Sequence, residues 1–377
     1  QDGSETLQSV TITGIPIGAT LAWTGLPAGA TATPIMSGAD IVGYTFAPAD
    51  DSSSATADLQ TFLSNNLTIT PKLHSGDNIT LAVSATTIES HPVGGEVQTL
   101  TATTNANVVI DVVPVADKPT AFVPGDYTIT EDTPINLAGD MGGALVDTDG
   151  SETLTFKLTG VPEGATFVNG SGVIIATAGP TGIVTFTSAQ MTAGFSFDPP
   201  FNAHTPPGGE WVLELTSYAT EGENSSQAAS DPKSFKIKID AVADNPIISG
   251  SSTVNEDFAE IPVGADASIA LYDTDGSEHI TSITVSGLPA DMLIQYTLSG
   301  DVTVDSTSVP GSYIFTSSNA DLGVAQTQLQ AVLDTVKLTP DVGFAAHSDA
   351  NHQVTFAATT IDYDGITTGL TSFNHPI

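Results

Sequence analysis

The chain contains no cysteine and no arginine, and its basic residues are seven lysines against 43 aspartates and glutamates. Without cysteine there are no disulfides, no thiolate metal sites and no cysteine nucleophile. With seven lysines there is no basic patch to neutralise phosphate, which argues against nucleic acid and anionic membrane as partners. No run of about 20 apolar residues offers a membrane span, and no stretch resembles a signal peptide. The formal net charge of −36 leaves the acids with almost no protein cations to pair with. Water, salt or bound metal ions must screen them. At 40% hydrophobic residues the composition is that of a folded chain, since disorder needs low hydrophobicity as well as charge. An acidic chain without disulfides needs another staple, and calcium is the usual one.

What is present is a repeat. "LVDTDGSETLT" from Leu145 recurs as "LYDTDGSEHIT" from Leu271, and "QDGSETLQS" opens the chain at Gln1. Gly276 follows Gly150 by 126 residues. "VADKP" ending at Pro119 recurs as "VADNP" ending at Pro246, and "ITEDTPINL" from Ile129 recurs as "VNEDFAEIPV" from Val254. "TGIPIGAT" at Thr13, "TGVPEGAT" at Thr159 and "SGLPADM" at Ser286 follow in the same order, as do "LTITP" at Leu67 and "VKLTP" at Val336. Several motifs in one order at one spacing mark tandem domains of about 126 residues, too long for solenoid units. The expected division is 1–118, 119–245 and 246–377. The chain opens inside a motif and closes before the next linker, as expected of a window cut from a longer array.

Within a repeat, segments such as "LTFKLTGV", "WVLELTSYA" and "SFKIKIDAV" alternate apolar and polar residues and are rich in Val, Ile, Thr and Phe. Short strands separated by Gly, Pro, Asn and Asp predict an all-β chain of β-sandwich domains. Helical spacing of Leu and Val predicts short helices over 57–66 and 321–335, with a shorter counterpart over 188–196. The first repeat is longer than the second, and the surplus is expected over 23–51.

The acids are the candidate functional residues. Calcium takes six to eight hard oxygen ligands, more than one short motif supplies. Extended backbone points Asp147 and Asp149 the same way, and Gly150 permits the turn that returns Glu152. An EF-hand is excluded, because its twelfth position is Leu158 and the flanks are strands. The expected groups are Asp117, Glu131, Asp132, Asp147, Asp149 and Glu152 at the first junction, and Asp244, Glu256, Asp257, Asp273, Asp275 and Glu278 at the second. Six acids in one place repel unless cations sit among them. The opposing reading is a solvated turn, favoured for one copy and disfavoured by ordered recurrence. The first copy, Asp2 and Glu5, lacks upstream partners and is expected to form an incomplete site.

The order VADxP, ED, DTDGSE and GVP or GLP resembles the tandem Ig-like or cadherin-like repeats of bacterial type I-secreted giant adhesins, the RTX adhesins. The resemblance implies β-sandwich extender domains in an end-to-end array, Ca2+ at the junctions between neighbouring repeats of one chain, an extracellular or cell-surface setting, and a role in attachment or biofilm formation. The GGxGxD repeats of that family's secretion region are absent from this sequence. An alternative takes the longer first repeat as a glycan- or peptide-binding module, and another takes the chain as a subunit of an extracellular filament. Trp23 is the candidate platform for a ligand, though one core tryptophan per domain is the simpler assignment. No enzyme is expected: the seven histidines form no HExxH, His347 and His352 read as a loop, and no GxSxG or Walker motif occurs. Carboxylates that recur in each unit are structural ligands more readily than catalytic pairs.

Overall fold

A computed structural model describes residues 5–93, 96–253, 260–273, 275–288, 292–309, 311–340, 353–362 and 368–376. The chain is mostly β, built of several discrete sheet modules that follow one another along the sequence. The first module is a five-stranded sheet in the order Thr31–Ser37, Asp40–Ala47, Glu5–Thr13, Ile79–Val93, Glu96–Ile110. A two-stranded pair, Thr20–Trp23 with Leu67–Thr70, accompanies it. The alternation that predicts strands is also what buries one face: Leu7, Val10 and Ile12 of the first strand are buried with Phe46, Leu59 and Phe62. Trp23 belongs to this core, edge-on to Tyr44 at 4.7 Å and to Phe46 at 5.2 Å.

The middle module has a six-stranded sheet, five strands in the order Val184–Thr187, Glu152–Thr159, Trp211–Glu221, Lys233–Asp240, Tyr127–Thr130, with Gln227–Ala229 beside Trp211–Glu221. Its four-stranded companion is Ile135–Asn136, Phe195–Asp198, Thr166–Asn169, Ile174–Thr177. Phe167 meets Phe186, Phe195 and Phe197 at 5.0, 5.6 and 5.5 Å, all four fully or nearly fully buried. The last module is a five-stranded sheet in the order Val302–Asp305, Ser312–Ser317, His279–Ser286, Gln353–Ile361, Thr368–Pro376, over a core that includes Phe315, Val354 and Phe356.

Among the described residues, three helices interrupt the strands where the sequence reading places them. Helix α1 (Ser53–Asn65) is capped by Ser52, whose hydroxyl accepts from the Ala55 N–H, and buries Leu59 and Phe62 three residues apart. Helix α2 (Ser188–Ala193) has a reciprocal cap between Thr187 and Gln190. Helix α3 (Leu322–Leu333) starts at Asp321 and buries Ala325, Leu329, Val332 and Leu333 on one face. The surplus length of the first repeat is not confined to 23–51. Helix α1 has 13 residues against six in α2, and buries Leu59 and Phe62 where α2 buries Met191.

By contacts the chain forms two compact units. One comprises Gln1–Ala121, Gly143–Phe156 and Thr216–Pro232; the other comprises Phe122–Gly142, Lys157–Leu215 and Lys233–Ile377. This cut differs from a division at 118 and 245, since the strands Glu152–Thr159 and Trp211–Glu221 each pass from one unit to the other. Each acidic cluster below lies wholly within one unit.

Candidate metal centres

The two complete copies of the acidic loop fold alike. Asp147 accepts the Asp149 N–H at 2.8 Å, and Asp149 accepts the Ser151 N–H at 2.8 Å. Asp273 and Asp275 accept from Asp275 and Ser277 at the same distances. These are Asx turns, in which a short carboxylate replaces a backbone acceptor two residues on. Gly150 and Gly276 follow at φ 97° and 99°, in the left-handed region that a side chain disfavours. The first aspartate of each loop is buried, 5% exposed at Asp147 and 2% at Asp273. The N–H groups of Ser151 and Ser277 hold Asp149 and Asp275 below the usual carboxylate range. At Asp275 burial pushes the other way, but these bonds and the neighbouring His204 prevail.

The glutamate that ends each motif grips the linker. Glu152 Oε1 accepts the Asp117 N–H at 2.6 Å, and Glu278 Oε1 accepts the Asp244 N–H. Glu131 Oε1 accepts the Val242 N–H at 2.5 Å. Val242 and Asp244 are two residues apart, so an extended linker presents both N–H groups to one side. Two buried glutamates, one before the linker and one after it, thereby converge. In Glu131, Glu152 and Glu278 the second oxygen, Oε2, is buried without a hydrogen-bond partner. Burial, with the charges of Asp273, Asp275 and Asp132, pushes Glu131 up to about 7 against the bond from Val242. Burial, with the charges of Asp244 and Asp273, pushes Glu278 up to about 7 as well. Asp244 is raised by burial and by Asp132 and Asp273.

Sequence order assigns Glu131 and Asp132 to the group around Asp147, and the structure gathers them with acids of the second group. Glu131 stands with Asp273 and Asp275, and Asp132 acts on Asp244. The cause is a parallel strand pair. Tyr127–Thr130 lies beside Ile237–Asp240 in parallel register, and the Glu131 N–H donates to the Asp240 carbonyl at 3.1 Å. Parallel partners end together, so the ED step arrives at the far end of its own repeat, beside the next linker. The second cluster thus holds Glu131, Asp132, Asp244, Asp273, Asp275 and Glu278, and the first holds Asp117, Asp147, Asp149 and Glu152. Glu256 and Asp257 lie outside the described residues, as do Asp2, His347 and His352. Glu5 is exposed at the start of its strand, opposite Glu89.

Two kinds of residue escape sequence reasoning. Glu221 is 3% exposed, has a partnerless Oε2, and is raised by burial and by Glu152, Asp147 and Asp149. It has no motif, only the end of a strand that faces the loop. His74 Nδ1 contacts Asp117 Oδ2, and His204 Nδ1 lies 2.5 Å from Asp275 Oδ2. The signal for both was their place a few residues beyond the prolines that close "LTITP" and "FSFDPP". Strain gathers here too: of four non-glycine residues at positive φ among the described ones, His74, Asp132 and Asn202 belong to the clusters. Asn202 donates its N–H to Asp132 at 2.9 Å and keeps a buried, partnerless Oδ1.

Among the described residues, two sets of donor atoms come within 4.8 Å of one another: His74, Asp117 and Asp147, and Glu131, Asp273 and Asp275. Either set can chelate a divalent cation. The lysine ion pairs Lys118–Asp231, Lys236–Glu210, Lys238–Asp240 and Lys337–Glu260 lie on exposed surface.

No family model and no curated protein matches the chain. Among solved structures it is weakly similar to the EC1-3 fragment of Drosophila N-cadherin, at 11% identity and a TM-score of 0.23, over 95% of this chain and 88% of that one. It is also weakly similar to the C-terminal domain of the Streptococcus agalactiae AgI/II polypeptide BspA, at 7% identity and a TM-score of 0.20, over 69% of this chain and 100% of that one.

Proposed function

We propose that this chain is a calcium-rigidified extender segment of a bacterial surface adhesin, acting outside the cell in attachment or biofilm formation. Its repeats are β-sandwiches of the Ig-like or cadherin-like kind, divided near 118 and 245, with a cation cluster beside each linker. One observation carries the reading: the buried, partnerless oxygens of Glu131, Glu152, Glu221 and Glu278 lie at the two acidic clusters. A buried carboxylate oxygen without a partner is costly, and a buried cluster of them more so. The donors are hard oxygens, which suits calcium. Asp117, Asp147, Asp149, Glu152 and Glu221 would hold an ion at the first cluster. Glu131, Asp132, Asp244, Asp273, Asp275 and Glu278 would hold one at the second.

The ion supplies positive charge that seven lysines do not provide, and stabilises the folded form by mass action. The linker is the part that stiffens, because Val242 and Asp244 are held by glutamates on either side of it. The chain is non-enzymatic: the same acids recur in the same order, whereas catalysis needs its pair once. A ligand platform at Trp23 loses support, since that ring packs on Tyr44 and Phe46. No described helix is long and apolar enough to cross a membrane.

The test is calorimetry and small-angle scattering on the full chain, in calcium and in chelator. Calcium should raise the melting temperature and reduce the spread of chain dimensions. Identical melting and identical scattering in the two conditions would sink the proposal.

A further inference from the structure

The two clusters differ in one donor. At the second, the three gathered atoms are carboxylate oxygens of Glu131, Asp273 and Asp275; at the first, one of the three is the imidazole nitrogen of His74. We infer that the His74–Asp117–Asp147 cluster is a transition-metal site of the zinc class, differing in metal preference from its all-oxygen counterpart. This rests on the reading that both clusters hold divalent cations.

The donor chemistry sets the preference. Calcium and magnesium are bound by oxygen, whereas imidazole suits zinc, copper and nickel. Zinc is commonly held by histidine nitrogen and carboxylate oxygen in four-coordinate sites. Here His74, Asp117 and Asp147 line one cavity of about 250 Å3, together with Glu221. Glu221 is the independent sign of a ligand: its side chain is 3% exposed, and its Oε2 has no hydrogen-bond partner. It lines the same cavity and adds negative charge that a dication offsets, outside the three gathered donors. The His74 and Asp117 side chains are 30% and 36% exposed, so an ion has access from solvent.

The three gathered side chains are also held in place. Asp147 is fixed by the Asp149 N–H through Oδ1. Asp117 is anchored through its own N–H to Glu152. His74 holds a left-handed backbone at φ 61°, a conformation uncommon for non-glycine residues though commoner for histidine than for most, and its ring meets Asp117 from there. An ion entering between the imidazole and the carboxylate replaces their direct contact and requires the neutral ring, with Nδ1 carrying the lone pair. At the second cluster His204 meets Asp275, but its nitrogen is not one of the three gathered atoms.

The experiment is calorimetric titration of the full chain with zinc chloride in saturating calcium. The parent is compared with His74→Asn, chosen because asparagine tolerates the left-handed backbone, and with Asp273→Asn. The parent should bind one zinc ion per chain at the first cluster. His74→Asn should weaken that binding by roughly tenfold or more while keeping the calcium-dependent rise in melting temperature. Asp273→Asn should leave zinc binding unchanged. The inference is overturned if the parent binds no zinc, if His74→Asn binds it as tightly as the parent, or if Asp273→Asn is the variant that loses it. Failure of the calcium reading shows separately, as a melting temperature that calcium does not move.

Discussion

Glu131 and Glu278 are the residues at which charge, burial and linker geometry meet. Both have folded-state values of about 7 against an ordinary 4.5. Between those limits the cation-free folded chain binds more protons than the unfolded chain. Their contribution to stability is therefore present below the window and is lost as pH rises through about 7. In chelator, melting temperature should fall between about pH 5 and about pH 8, and Glu131→Gln with Glu278→Gln should flatten that fall. His375 works in the opposite sense: it is buried, burial lowers its value against the pull of Asp266, and its share is lost on acidification. The paired glutamine variants isolate the glutamate share. Glutamine keeps an acceptor for the linker N–H but removes a charge, so Glu278→Gln should melt higher than the parent in chelator and gain less from calcium. An unchanged slope in the variants would show that these two groups do not govern the pH response.

At the scale of elements, the acidic loop and the strand pair beside it matter most. A Cβ built on Gly150 or Gly276 meets nothing within 4 Å, so alanine there costs only the left-handed backbone, about 1–2 kcal/mol. At Gly160 a Cβ falls 2.1 Å from the Val212 carbonyl oxygen, on top of a positive φ of 76°. Gly160→Ala should therefore destabilise more than Gly150→Ala by denaturant midpoint, and equal costs would contradict this ranking. Ile239 is fully buried in the strand that carries Tyr127–Thr130 beside it. Ile239→Ala should cost about 2–5 kcal/mol and also weaken calcium binding, because Glu131 is positioned by that pair. Much at this scale was legible beforehand. Alternation marked the strands, and the spacing of Leu and Val marked helices α1 and α3, with α2 as their shorter counterpart. The direction of pairing was not legible, since a strand's sequence looks the same beside a parallel or an antiparallel partner.

For the whole molecule, a net charge of −36 is a standing electrostatic load. Without divalent ions, monovalent salt should raise the melting temperature by screening it, and with calcium bound the same salt should do less. Asp147→Asn and Asp273→Asn each remove one buried acid, from clusters that share no residue. Their effects on the stability gained from divalent cations, with calcium and zinc both supplied, should add within about 0.5 kcal/mol in the double variant. A large coupling energy between them would mean that the two clusters act as one.

The sequence by itself determined the all-β character, the tandem recurrence, the turn at each DTDGSE and the poverty of compensating cations. These follow from local periodicity, backbone preference and composition, which need no distant partner. Only the tertiary structure decided which acids stand together. Glu131 is 16 residues from Asp147 in the chain, yet it meets Asp273 and Asp275, because a parallel strand pair delivers it to the far end of its repeat. Glu221 enters the first cluster from a strand end that carries no motif, and His74 from the loop just beyond one. Their roles arise from long-range pairing, which sets the neighbours of a side chain independently of its place in the sequence.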